Sequence, residues 1–253
     1  MASGGFAGCR VLVTGSSGGI GRQIALAFAR QGADVAINYH THPEAGDSAA
    51  EEARAFGVRA VSLGADCAQH QACRALVDQA ASALGGLEIL VNNVGEFASK
   101  RLSKHSVAEF ERIMAGTVGA TFHATMAALP HLRQAGWGRV VNLGAMGAES
   151  ALGGLRQGPH LAGKSAVVSL TRSFALEETR GGITFNVVSP GVIEDRDLPR
   201  EEAIARRDPG NPVGRPGTSA DVVDAVLFLC RRESSFINGA VVAVSGGWQG
   251  DLG

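Results

Sequence analysis

Val11-Leu12-Val13-Thr14-Gly15-Ser16-Ser17-Gly18-Gly19-Ile20-Gly21 is the most informative run in the chain. Three apolar residues of strand type lead into a turn dense in glycine. From about Ile20 to Arg30 the apolar residues then return at helical spacing, and Gly32 follows as a stop. A strand, a glycine turn and a helix in that order suit a nucleotide. Glycines permit the tight turn, let backbone approach a pyrophosphate and let helix and strand pack closely. The helix start offers free N–H groups and the positive end of its dipole to phosphate. Gly15, Ser17, Gly18, Gly19, Ile20 and Gly21 are therefore the candidate cradle.

Working outward, strands and helices alternate to the far end. Strands are expected at Val35–Asn38, Val58–Leu63, Leu87–Val91, Arg139–Leu143, Ile183–Val188 and Ala240–Val244. Helices are expected over Glu44–Phe56, Gln69–Leu84, Val107–Leu132 (with Pro130 near its end), His160–Glu178 and Ala220–Arg231. Short apolar strands each followed by a crossover helix give an α/β fold. The expectation is one doubly wound, Rossmann-type domain over residues 1–253, its seven-stranded parallel sheet covered by helices on both faces. Residues 194–217, rich in charge, Pro and Gly, form a candidate substrate lid.

Composition narrows the classes. Apolar residues make up 45% of 253, aromatics only 5%, and the formal net charge is −1. That balance, without a basic tract, argues against nucleic acid or an anionic membrane as partner. No apolar run approaches the roughly 18 residues of a membrane span, and the small, Gly-rich start has no leader pattern. Cys9, Cys67, Cys73 and Cys230 show no metal-binding spacing and read as reduced thiols of a cytoplasmic protein, with no metal site expected.

The spacing T-G-x-x-x-G-x-G from Thr14 to Gly21 resembles that of the short-chain dehydrogenase/reductase family, and the likeness extends along nearly the whole chain. Asn92-Asn93-Val94-Gly95 is similar to the family's N-N-A-G, and Asp66-Cys67 lies where the family places an Asp against adenine. Ser189-Pro190-Gly191-Val192-Ile193 resembles its P-G segment beside nicotinamide, and Ser245-Gly246-Gly247 its final glycine pair. The resemblance implies a nicotinamide dinucleotide held by the cradle together with Asn38, Asp66, Cys67, Asn93, Val94, Gly95, Lys164, Pro190, Gly191 and Ile193. The second strand ends in Asn38-Tyr39-His40-Thr41-His42, without the acid that would select NAD, so NADP is expected and NAD is the alternative. Arg22 and the histidines are the cations available to a 2′-phosphate.

The catalytic positions depart from the family pattern. In the Y-x-x-x-K segment the lysine is Lys164, but His160 stands for the tyrosine. Ala145 stands for the serine after the fifth strand, and Gly116 for the asparagine of the long helix. The only tyrosine is Tyr39. His160 and Lys164 are the candidate catalytic pair. With Lys164 one helical turn away, His160 is expected to be neutral, and a better base than acid. Glu96, Ser99, Glu149, Ser150, Arg156 and Gln157 follow strand ends and read as loop residues.

Three functions fit. One is an atypical NADP(H)-dependent oxidoreductase of a ketone or 3-oxoacyl-type substrate, small or carrier-bound, with His160 in place of tyrosine. Another is a redox-neutral dehydratase, isomerase or cyclase with His160 as base. The third is a silent cofactor-binding subunit in a mixed oligomer with an active relative. The resemblance implies a homotetramer or homodimer.

Overall fold

Val11, Leu12 and Val13 show how the sheet is covered. Successive side chains of a strand point to opposite faces. Val11 and Val13 join one core cluster, and Leu12 joins another. The computed structural model describes residues 5–193 and 198–248. Its strands are β1 (Arg10–Val13), β2 (Asp34–Tyr39), β3 (Ala60–Gly64), β4 (Ile89–Asn92), β5 (Gly138–Leu143), β6 (Ile183–Pro190) and β7 (Val241–Val244). They form one parallel sheet in the order β3-β2-β1-β4-β5-β6-β7.

Parallel neighbours need crossovers, and the helices supply them on both sides of the sheet. Helices α1 (Gly19–Arg30), α2 (Pro43–Arg54) and α8 (Ser219–Cys230) bury Ile24, Ala50 and Val226 against the Val11 face. On the Leu12 face, α3 (His70–Leu84), α5 (Ala120–Ala135) and α6 (Gly158–Glu178) bury Val77, Ala124 and Phe174. The seven-stranded, doubly wound Rossmann-type sheet expected from the sequence is present. Alanines such as Ala49, Ala53, Ala124 and Ala128, all fully buried, let helices lie close to it.

The long helix expected over Val107–Leu132 is interrupted. Helix α4 (Val107–Met114) passes into a π-turn at Ala115–Gly119, and α5 then runs beyond Pro130 to Ala135, where Gly136 closes it at φ +74°. A π-turn absorbs an extra residue by widening the helix locally, and such turns gather at functional sites. Short helix α7 (Arg200–Ala205) lies in the expected lid, of which residues 194–197 fall outside the described residues. Two arginines fasten the remainder to α8: Arg215 grips Asp221 at 2.8 and 2.9 Å, and Arg200 reaches Asp224 at 2.7 Å.

A buried polar chain crosses the sheet below the site. Asn92 donates to Asn142 (2.8 Å) and to Thr125 of α5 (3.1 Å), and Asn142 donates to Thr171 of α6 (2.8 Å). It ties both helices to paired positions of β4 and β5. Apolar packing carries the neighbouring layer, where Phe185 of β6 is fully buried and stacks on Phe174 at 5.3 Å. Phe185→Ala is expected to cost about 3–5 kcal/mol in urea unfolding. A loss under about 1 kcal/mol would show that this layer repacks freely.

Candidate active site

The sheet order reverses between β1 and β4, and ligands of open α/β sheets bind at such a crevice. Asn93, just past β4, bolts the two sides together. Its backbone N–H donates to Thr14 Oγ1 (3.0 Å), and its amide donates to the carbonyls of Thr14 (3.1 Å) and Gly15 (2.9 Å). Gly21 must lack a side chain, because a Cβ would fall 2.5 Å from both Asn93 Nδ2 and Gly15 O. Gly15 turns at φ +59°.

The cradle suits an anion. Helix α1 starts at Gly18 with no side-chain cap and no acidic residue in its first turn, leaving its first N–H groups to be satisfied from outside. A Cβ at Gly18 would meet nothing within 4 Å, so the approach is open. A cleft of about 440 Å³ joins this turn to the ends of β4, β5 and β6. Gly15, Gly18, Ile20 and Gly21 line one side, Asn93, Val94 and Gly95 the next, and His160, Lys164 and Pro190 the far wall. These ten are among the residues expected from sequence. The residues present fit a dinucleotide.

Other expected residues lie behind or beside that cleft. Asn38 does not face it. The residue is buried, accepts from Gly15 N at 2.9 Å, and spends its amide on the carbonyls of Tyr39, Leu63 and Ala65. It braces the turn from the interior. Cys67 is also buried, its thiol directed at Asn38 Oδ1 (3.5 Å), while Asp66 caps Ala68 N (2.9 Å). Ser17, Gly19, Gly191 and Ile193 are not in the cleft wall. Gly191 packs where a Cβ would be 2.8 Å from Ser245 Cα, and Ile193 lies under Gly217. Arg22 is engaged with Glu52 (3.0 Å) and Ser48 (3.2 Å), leaving exposed His40 and His42 near the end of β2.

His160 and Lys164 stand one turn apart on α6. His160 Nδ1 lies 2.9 Å from the Glu96 carbonyl. A carbonyl only accepts, so Nδ1 carries the proton and Nε2 the lone pair when the ring is neutral. Burial lowers the His160 pKa; the Glu96 bond opposes the shift and the Lys164 charge adds to it. Lys164 Nζ donates to Leu143 O at 2.6 Å, and burial brings its pKa down to about 8. Gly95 leaves room for it, since a Cβ there would be 3.0 Å from Nζ.

Sequence reasoning missed Phe97, Leu143 and Gly144 in the wall. Phe97 meets the His160 ring edge-on at 5.2 Å. It also read Glu96 as an ordinary loop residue. Among the described residues no group of three or more His, Cys, Asp or Glu is placed to hold a metal, and no helix is long and apolar enough to cross a membrane.

Keeping Lys164 charged inside the fold is costly. Its depressed pKa corresponds to about 3 kcal/mol at pH 7. Of this, about 1–3 kcal/mol would be forfeited if Leu143 O lost its donor. Lys164→Met is therefore expected to raise the Tm at pH 7 by about 2–4 °C. Because the folded-state pKa is lowered, wild-type stability rises with pH from about 8 to 10.5, and the advantage of Met fades there. Thermal scans across that range check it; a Tm loss at pH 7 would refute it.

Comparisons with known proteins agree with this architecture. A family model described as Enoyl-(Acyl carrier protein) reductase matches residues 15–249. Subunit BbsD of (2S)-[(R)-hydroxy(phenyl)methyl]succinyl-CoA dehydrogenase from Thauera aromatica is 36% identical over 241 residues, covering 93% of this chain and 94% of that one. The 3-oxoacyl-acyl-carrier-protein reductase FabG of Staphylococcus aureus is 32% identical over 238 residues, covering 93% and 96%. The crystal structure of a short chain dehydrogenase from Burkholderia cenocepacia J2315 in complex with NADP has a TM-score of 0.85 and 34% identity, covering 96% of this chain and 98% of that one. The likeness begins at the glycine turn and runs almost to the end. On that ground the chain belongs to the short-chain dehydrogenase/reductase family.

Proposed function

We propose that this chain is an NADP(H)-dependent oxidoreductase acting on a secondary alcohol and ketone pair of the 3-oxoacyl type, with His160 as the proton-transfer group. One observation carries the reading. With Nδ1 committed to Glu96, Nε2 is the ring nitrogen left for chemistry in a side chain that lines the cleft. Relatives named for a CoA-linked dehydrogenase and a 3-oxoacyl reductase support the substrate class, and a neighbour crystallised with NADP supports the cofactor. The absence of an acid at Asn38-Tyr39 points the same way.

Gly15, Gly18 and Gly21 would hold the pyrophosphate, with Lys164, Val94, Gly95 and Pro190 toward the nicotinamide end. When bound, the dinucleotide accepts or supplies hydride. Neutral His160 takes the hydroxyl proton on Nε2 as the carbonyl forms. The reverse direction starts from imidazolium, which burial and Lys164 disfavour, so at neutral pH the site rests in the protonation state from which oxidation starts. Ala145 offers no hydroxyl to the developing oxyanion, a deficit of about 3 kcal/mol by analogy with losing one such donor. Turnover is expected to be slow.

A second reading rests on the name of BbsD as a subunit: this chain binds the dinucleotide and stays silent beside an active relative. Alcohol oxidation with NADP⁺, followed by nicotinamide absorbance over a panel of 3-hydroxyacyl thioesters, separates the two. The main reading expects kcat/KM to rise as His160 loses its proton, below the ordinary 6.5, and to level off until Lys164 titrates near 8. His160→Ala is expected to lose about 10²–10⁴-fold. No turnover alone, but turnover on co-expression with a relative carrying the tyrosine and serine, would favour the silent subunit. The double change His160→Tyr, Ala145→Ser then asks whether the pocket still works.

A further inference from the structure

The residue that replaces tyrosine is held by groups the family pattern does not account for. The carbonyl accepting from His160 Nδ1 belongs to Glu96, and the N–H of that same residue donates to Thr117 Oγ1 at 3.2 Å. Glu96 is therefore pinned on both sides, by a ring on α6 and by a hydroxyl on the π-turn. Thr117 is fully buried and sits in the middle of that turn. A Cβ on Gly163 of α6 would be 3.2 Å from Thr117 Cγ2, so α6 rides close over the turn there.

Gly116, the neighbour of Thr117, supplies the remaining element. A Cβ at that position would stand 2.4 Å from Glu96 Cγ and 3.4 Å from Glu96 Cβ. The Glu96 side chain fills the space that any larger residue at 116 would need, and its carboxylate pairs with Arg112 of α4. The glycine's φ is not positive, so room is the reason for it. Two departures from the family pattern thus meet at one residue: Gly116 admits Glu96, and Glu96 orients His160.

We infer that Thr117, Gly116 and Glu96 form a positioning unit that holds His160 with its proton on Nδ1 and its lone pair on Nε2 toward the cleft. The other tautomer, with the proton on Nε2, would present an N–H to the cleft and remove the base. Thr117 does not line the cleft, and its hydroxyl accepts from the Glu96 N–H; it acts through the Glu96 backbone. Among the described residues, the side chains that act on the ring are Lys164 on α6 and Phe97. Neither of them is a hydrogen-bond acceptor for Nδ1; the Glu96 carbonyl is. The inference deepens the proposed function, because the base it prepares is the one that function uses.

Nitrogen NMR of the whole protein, labelled at histidine and assigned with His160→Gln, tests it without any turnover. The expected wild-type spectrum above pH 7 shows His160 neutral, protonated at Nδ1 and bare at Nε2. Thr117→Val is expected to move the tautomer ratio toward the Nε2-protonated form by about fivefold, the effect of losing one ordinary hydrogen bond. Thr117→Ser keeps the hydroxyl and should keep the wild-type ratio, which a role in packing alone does not predict. Gly116→Asn, which displaces Glu96, is expected to shift the ratio at least as far. A wild-type His160 protonated at Nε2, or a folded Thr117→Val with an unchanged ratio, overturns the inference. If Thr117→Val does not fold, the wild-type spectrum together with Gly116→Asn decides. Should the tautomer behave as stated while no alcohol is oxidised, the proposed function fails and the positioning unit stands.

Discussion

Two parallel strands lie side by side at the centre of this molecule and send their chains away to opposite faces. Everything else is arranged around keeping β1 and β4 together while a crevice opens above them. The bolt is Asn93, whose amide reaches across to the turn that follows β1. Because that amide and the Gly15 carbonyl occupy the space beside Gly21, helix α1 must begin with bare backbone. Its uncapped end then faces the crevice by necessity, and the positive end of the helix dipole comes with it. Asn38 completes the frame from behind, holding the Gly15 amide and the carbonyls of Tyr39, Leu63 and Ala65.

The far wall of the crevice combines two nitrogen bases whose charged forms burial disfavours. Among the described residues Lys164 has one carbonyl and no carboxylate within ion-pair distance, so the protein supports a buried cation at a real cost. His160, next to it, gives way and becomes neutral. One cation and one neutral ring, stacked a turn apart on a helix, is a different electrostatic arrangement from a phenol beside an ammonium. A phenol near an ammonium is pulled toward ionisation, whereas an imidazole near an ammonium is pushed away from it.

Most of the sheet and its helices was legible in the sequence because hydrophobic period and glycine punctuation agreed at each element. The ends moved by one to three residues, as strand β2 did in extending to Tyr39 and α5 in reaching Ala135. The cradle and the His160–Lys164 pair were legible for a related reason: short motifs lie on local backbone, and local backbone follows local sequence. The inward turn of Asn38 was not legible because strand-end position says nothing about the direction of a side chain; its partners Gly15, Leu63 and Ala65 lie 23 to 27 positions away. Glu96 was passed over for the same kind of reason. Its importance lies in a backbone carbonyl and in a cavity made by Gly116, and neither has a signature in residue type. The π-turn was invisible as well, since its residues carry the same helical pattern as the segments on each side.

That π-turn has a consequence for how the helix can change. An extra residue absorbed in a widened turn leaves the segments before and after it in phase, so Ala120, Ala124 and Ala128 keep facing the sheet. The swelling therefore behaves as a separable insert, a side branch on an otherwise regular rod. Residues 115–119 can therefore serve the site, Gly116 by admitting Glu96 and Thr117 by holding its N–H, while the rod's contact with the core stays as it was.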